Sequence, residues 1–442
     1  MNAASVSTKG AALQHAGAPR RRLDTSSPLV WLVIAVLFLA LPYIFTKASS
    51  LSLMAQMGVM IVLALSYNML LGQTGMLSFG HAVYSGLGAY FAIHALNRIG
   101  EGTLLFPVTL LPLIGGVFGA LFGILFGWVS TKRSGVTFAM ISLGIGELVH
   151  TVAMMFTGFF GGEGGIFTDR VAGEPLFGIT YGPAIQVYYL VAAWTFIAML
   201  AMFALTRTPL GRIANAVRDN PERAEFVGYN PQRVRFLMLT LSAFFAGVAG
   251  ALMVMIFEIV NAENVGAIRS GSMLLATFIG GAGFFFGPVV GALLFVFFSI
   301  ALAELTYAWQ LYLGVFFVLL VMFAPGGLAG IGAGLLAVRR AGQARLVAAP
   351  LLAVLATGFI LLCGIVALIE MTYAVSWSQV ASAQFSLLGV PFDARSGGSW
   401  ALGMAWTLVG AALFTYAWRG FRRRWDLALA RIAEAVQAGG GA

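Results

Sequence analysis

The sequence predicts an all-α polytopic membrane protein with about ten to twelve transmembrane helices, some broken or re-entrant, and three observations predict it. Of 442 residues, 60% are hydrophobic and only 9% charged, against roughly 25% charged in an ordinary soluble domain. Apolar stretches of the roughly 20 residues that a hydrocarbon core about 30 Å thick requires recur from Leu29 to Trp418. Glycine, at 55 residues, far exceeds its usual share of roughly 7%, and small residues let helix backbones approach closely in a bilayer.

Taken in order, spans are expected at about 29–45, 51–71, 76–97, 104–130, 135–159, 183–206, 236–258, 272–286, 287–303, 307–324, 347–369 and 400–418. Residues 1–28 form a polar tail with Lys9 and Arg20, Arg21 and Arg22. With the run ending near Phe45 this stretch resembles a signal peptide, but no clear small-x-small cleavage site follows before Lys47, so the first span is kept. Lysine and arginine concentrate in cytoplasmic loops. Placing the N-terminus inside puts 20 of the 25 basic residues in cytoplasmic segments and leaves Lys47, Arg98, Arg170, Arg269 and Arg395 outside. The C-terminus is then cytoplasmic too. The net charge of +9 is scattered between apolar segments, not gathered with aromatics into a stripe, so no nucleic-acid partner is expected. Cys363 is the single cysteine, so neither an intrachain disulfide nor a cysteine-rich metal site can form.

Two breaks punctuate the spans. Gly72-Gln73-Thr74-Gly75-Met76-Leu77-Ser78-Phe79-Gly80 separates the second and third, and Gly280-Gly281-Ala282-Gly283-Phe284-Phe285-Phe286-Gly287-Pro288 divides two short ones. The spacing of Gly72 and Gly75 matches that of Gly280 and Gly283, a candidate internal repeat. Glycine and proline interrupt helices and free backbone groups, and paired broken helices in two halves point to a transport site. The same parity requires residues 272–303 to cross twice or to re-enter.

Ionisable and polar residues inside spans are expensive and default to functional suspicion. Glu147 and His150 lie three apart and share a helix side, with Ser142 near it. Ser78, His81 and Tyr84 recur beside the first break, near Gln73. These residues, with Gly280 and Gly283, are the candidate translocation pathway. Helix packing is the plainer account of each.

The longest cytoplasmic loop, residues 207–235, contains Thr208-Pro209, Gly211-Arg212, Arg218-Asp219-Asn220-Pro221-Glu222-Arg223-Ala224-Glu225 and Gly228-Tyr229-Asn230-Pro231. Its prolines and glycines predict two short helices. The second opens at Pro221 behind an Asn220 cap, carries Glu222 near the positive dipole end, and closes at Gly228.

This loop resembles the coupling loop of the permease subunits of branched-chain amino-acid ABC transporters. Gly72 to Ala82 is similar to that family's glycine-rich stretch, as are Thr157 to Ile166, Gly280 to Ala292 and Ala324-Pro325-Gly326-Gly327-Leu328. Together these motifs span about residues 50–330, and the chain looks like an M-type subunit. The resemblance implies a permease paired with a related H-type permease, two cytoplasmic ATPase subunits and a periplasmic binding protein, in a bacterial inner membrane. It implies that Arg212, Arg218, Asp219, Glu222, Arg223, Glu225, Gly228, Tyr229 and Asn230 contact the ATPase. The chain lacks the Gly-x4-Gly-Lys-Ser/Thr loop that cradles phosphates, so it is not expected to be an enzyme or to carry a cofactor or metal.

The family pattern ends soon after Gly327, leaving residues 331–442 as an extension beyond the permease region at 29–330. Two spans and a basic amphipathic tail, Arg419 to Val436, are expected there, the tail lying on anionic lipid headgroups. Branched-chain or similar amino acids are the expected solutes. A urea or short-amide importer and an ion-coupled secondary transporter stay open as alternatives, the latter having no use for an ATPase dock.

Overall fold

The computed structural model describes residues 28–171, 178–376, 384–387 and 390–439, so the basic N-terminal residues Lys9 and Arg20 to Arg22 lie outside the described residues. Each of the twelve expected apolar segments contains a helix. In order they are α1 Pro28–Ile44, α2 Ala48–Thr74, α3 Ala82–Gly100, α4 Leu111–Ser130, α5 Val136–Met155, α7 Ala184–Arg207, α10 Pro231–Phe257, α11 Ala267–Gly280, α12 Gly287–Val296, α13 Trp309–Phe323, α15 Ala344–Ser376 and α16 Gly397–Gly439. Four short helices lie between them: α6 Thr157–Phe160, α8 Pro209–Asp219, α9 Pro221–Phe226 and α14 Gly327–Arg340. Among the described residues seven helices are long and apolar enough to cross a bilayer, or eight if α13 and α14 form one bent span. The chain is a multi-pass membrane protein.

Residues 28–331 form one compact unit. Its centre is α2, a 27-residue helix about 40 Å long at 1.5 Å per residue, which packs on α7, α10, α11 and α12. Beside it α4 and α10 approach at backbone distance. Gly115, Gly119, Gly123 and Gly127 line one side of α4 at four-residue spacing, and a Cβ at Gly119 would lie 2.4 Å from the Ala243 carbonyl oxygen. Helix α11 turns back on α12 just as closely, since a Cβ at Gly291 would lie 1.9 Å from the Ala276 carbonyl oxygen. With 14 residues, or about 21 Å, α11 is too short to cross upright, in keeping with the expected short pair. A π-helical turn, Phe297–Leu302, follows α12.

The other compact unit includes residues 332–442. Helices α15 and α16 pair along their length where Gly364 meets Thr407 and Gly410 meets Leu361. At one end β3 Gln384–Leu387 and β4 Val390–Asp393 form an antiparallel hairpin, and Phe392 is buried with Ala367 and Met371. At the other end Val338, Val347 and Ala428 form a second cluster. The expected tail is not a separate element. It continues the last span as one 43-residue helix, because the lone Gly420 costs only about 1 kcal/mol in a helix and no proline follows.

Candidate functional site

Helix α2 ends at Gly75, whose left-handed backbone (φ 70°) suits glycine, and the N–H groups of Gly75 and Met76 donate to the carbonyls of Leu71 and Leu70. The chain then runs back along α2 without helical structure before α3 opens at Ala82. Tyr67 Oη donates to the Ser78 carbonyl (2.9 Å) and accepts from the Ser78 N–H (3.2 Å). Ser66 Oγ lies 3.1 Å from His81 Nε2. Ser66 sits eight residues before Thr74, about 12 Å back along the helix, so α3 begins inside the thickness that α2 spans. The expected span from residue 76 therefore starts about six residues late.

Non-helical backbone at this depth persists only where protein satisfies it, and Tyr67 on α2 together with side chains of α5 and α11 does so. The Phe79 N–H donates to Ser142 Oγ on α5 (3.0 Å), and the Ala82 N–H to Ser270 Oγ on α11 (3.0 Å). Ser242 Oγ on α10 donates to the Ser66 carbonyl (2.5 Å), and Thr277 Oγ1 on α11 to the Ala64 carbonyl (3.2 Å). The His81 ring meets Tyr67 and Tyr84 edge-on at 5.3 and 5.7 Å. His81 Nδ1, Asn68 Oδ1 and Gln73 Oε1 are buried without a hydrogen-bond partner.

The structure thus gathers Gln73, Ser78, His81, Tyr84 and Ser142 around the first break, all buried. Ser78 lies outside any helix, so its three-residue spacing from His81 is not what brings them together. Tyr67 and Ser66 do that. Glu147 and His150 diverge. Glu147 is exposed in this chain on a stripe with Met140, Gly144 and Thr151, while His150 Nδ1 lies 3.0 Å from the Ala262 carbonyl oxygen.

At the second break Gly280 is tightly packed, its Cβ position 1.9 Å from the Gly287 carbonyl oxygen, but Gly283 faces open space. The close approaches fall instead to Gly281 (φ 103°), 2.2 Å from the Gly326 carbonyl oxygen by its Cβ position, and to Gly287. The two breaks touch, since a Cβ on Gly72 would lie 2.4 Å from the Ala282 carbonyl oxygen. Sequence reasoning missed Ser66, Tyr67, Ser242, Ser270 and Thr277. Hydroxyls inside apolar helices were the available signal, because in a bilayer such groups bond across helices.

Beyond α7 the loop is built by repeated capping. Helices α8, α9 and α10 each begin with proline, and Thr208, Asn220 and Asn230 accept N–H groups of Gly211 (3.3 Å), Arg223 (2.9 Å) and Arg233 (3.1 Å). Helix α8 buries Gly211, Ala214 and Val217. Helix α9 buries only Ala224, and Glu222, Arg223, Glu225 and Asn230 are exposed, as is Arg212 on α8. Phe226, Val227 and Tyr229 are 91%, 71% and 45% exposed, and Gly228 (φ 93°) has nothing near its Cβ position. Arg218 departs from this group. It pairs with Asp219 (2.9 Å) and donates from Nη1 to the Gly72 carbonyl, joining the loop to the first break.

At the far end of α10, Arg170 organises the segment after α6. Its Nε donates to the Tyr181 carbonyl (2.8 Å), and its N–H to Glu258 Oε1 (3.0 Å). There β1 Ile166–Phe167 pairs antiparallel with β2 Ile259–Val260.

Comparison with known proteins places this architecture. The family described as branched-chain amino acid transport system, permease component, matches residues 49–323. The high-affinity branched-chain amino acid transport system permease LivM of Escherichia coli is 28% identical over 321 residues, covering 68% of this chain and 74% of LivM. LivH of Salmonella typhimurium is 25% identical over 53% of this chain and 78% of its own length. The fructose import permease FrcC of Rhizobium meliloti is 32% identical over 28% of this chain and 33% of its own. No solved structure matches. The family is one of transport permeases and not of enzymes, and the matched region holds both breaks and the capped loop; the chain belongs to the branched-chain amino acid transport system permease family and is a permease subunit of an ABC importer.

Proposed function

We propose that residues 29–330 form one half of the translocation pathway for branched-chain or related amino acids, with residues 207–235 as the dock for cytoplasmic ATPase subunits. The observation that carries the dock is α9 and the turn after it. Phe226, Val227 and Tyr229 stand exposed beside Glu222, Arg223 and Glu225, on a loop held by three capped helix starts. An exposed apolar patch rimmed by charge marks a protein interface. In this reading both termini and the loop are cytoplasmic, the Arg170 segment faces the periplasm and a binding protein, and the membrane is the bacterial inner membrane.

A carboxylate does not face lipid without cost, so Glu147, with Gly144 and Thr151 on its stripe, faces the pathway or the second, H-type permease. Similarity to both LivM and LivH supports a paired arrangement. The unpartnered Asn68, Gln73 and His81 atoms would gain partners when the breaks rearrange. Purifying the chain with its ATPases tests the dock. Phe226→Asp or Gly228→Trp should leave the chain inserted and strip the ATPases from it; full copurification would remove the dock.

A further inference from the structure

Arg218 ties the loop, whose α8 also packs Ala214 and Val217 into the core, to the end of α2. Its Nη1 donates to the Gly72 carbonyl in the last turn of α2, where carbonyls lack intrahelical partners and the helix dipole attracts a cation. Its side-chain stem lies against the glycine cap, the Cβ position of Gly75 being 3.0 Å from Arg218 Cγ. The other side of Gly72 abuts the Ala282 carbonyl, and the preceding residue of that turn, Gly281, abuts the Gly326 carbonyl. Three glycine breaks, at 72–80, 280–287 and 326–327, therefore meet within one or two residues of the guanidinium's target. On the same helix Ser66 and Tyr67 hold His81 and Ser78 at the start of α3.

We propose that Arg218 is the positioning residue that transmits movement of the ATPase-docked loop to the broken helices, acting on the Gly72 carbonyl and not on the ATPase. This rests on residues 207–235 being the dock. A displacement of α8 pulls the C-terminus of α2 through a charge-assisted hydrogen bond, which is among the stronger side-chain contacts. The small residues packed there allow the turns to slide without forcing out a side chain. Asp219, paired with the same guanidinium, fixes its orientation from the loop side.

The test reconstitutes the chain with its sister permease, ATPases and binding protein in proteoliposomes. Arg218→Met keeps the stem and removes the charge. It should keep the ATPases bound and ATP hydrolysis running while uptake of labelled leucine falls roughly tenfold or more, the scale of losing one hydrogen bond to a charged group. Arg218→Lys, which can still donate to the carbonyl, should recover part of that uptake. Wild-type uptake in Arg218→Met, or loss of the ATPases from it, would overturn the proposal, the latter making Arg218 a docking residue. If Arg218→Met does not assemble, Arg218→Gln is read in the same way. Failure of the dock itself would be seen separately, as ATPases retained by Phe226→Asp, and would withdraw both readings. If wild type does not take up leucine, only the solute reading fails, and coupling is then read from stimulation of ATP hydrolysis by the binding protein, lost in Arg218→Met and partly restored in Arg218→Lys.

Discussion

Replacing Gly247 by alanine tests how closely α4 and α10 pack. A Cβ at Gly247 would lie 2.1 Å from the Gly115 carbonyl oxygen, 2.8 Å from its carbon and 3.0 Å from Gly119 Cα. Since carbon–oxygen contacts settle at about 3.3–3.6 Å, α4 must retreat by about 1 Å. All three neighbours are backbone, so no rotamer change relieves the contact. The retreat also loosens Gly123 against Ala243 and Gly127 against Leu239, each now within 2.8 Å of the Cβ position. Overpacking of this kind costs about 1–3 kcal/mol, while alanine regains about 1 kcal/mol of helix propensity. The net loss is about 0–2 kcal/mol, a fall of up to a few degrees in the unfolding midpoint, and the gap to a glycine replaced in open space is about 1–3 kcal/mol. The assay is thermal unfolding in detergent beside Gly144→Ala, where nothing lies within 4 Å of the added carbon and only propensity changes. Gly144→Ala should melt at or above wild type and Gly247→Ala below it. Equal midpoints for the two variants would refute the backbone contact.

Other expectations follow from the same geometry. Glu225→Lys, which reverses a charge beside exposed Phe226, should weaken ATPase copurification without affecting insertion, scored on membrane fractions. Glu147→Gln should lower solute uptake more than assembly with the second permease, and the reverse ranking would return Glu147 to a packing role. Ser66→Ala leaves His81 Nε2 without its 3.1 Å partner; a buried group left unsatisfied costs about 1–3 kcal/mol, so the melting midpoint should fall, and an unchanged midpoint would contradict the contact. Deleting residues 346–442 should spare insertion and leave measurable uptake, because residues 28–331 bury their own core; complete loss of uptake with intact insertion would make the extension essential.

Much of the helix plan was legible because it is written in local chemistry. The bilayer demands long apolar runs, so twelve segments stand out, and the Asn220 cap follows from a short polar residue before Pro221; the same pattern at Thr208 and Asn230 is shown by the structure. The backward run before α3 was not legible. Met76, Leu77 and Phe79 are apolar, and hydropathy cannot distinguish a buried extended segment from a helix. What decides it is long-range: Ser142 and Ser270 hold the freed amides from 63 and 188 residues away. The same limit separated Glu147 from His150, whose helical spacing says nothing about which neighbour each faces. In sequence Arg218 does not differ from its charged loop neighbours, and only the fold brings the C-terminus of α2 beneath it. Gly283 matches Gly75 in spacing alone, whereas Gly280, Gly281 and Gly287 are the residues that backbone approach requires.

The most direct test of the central claim is uptake of labelled leucine and labelled urea into proteoliposomes holding the chain with its sister permease, ATPases and binding protein. Leucine accumulation that requires both ATP and the binding protein is the expected result. Flux that proceeds without ATP would contradict the account, and uptake of urea alone would contradict its solute.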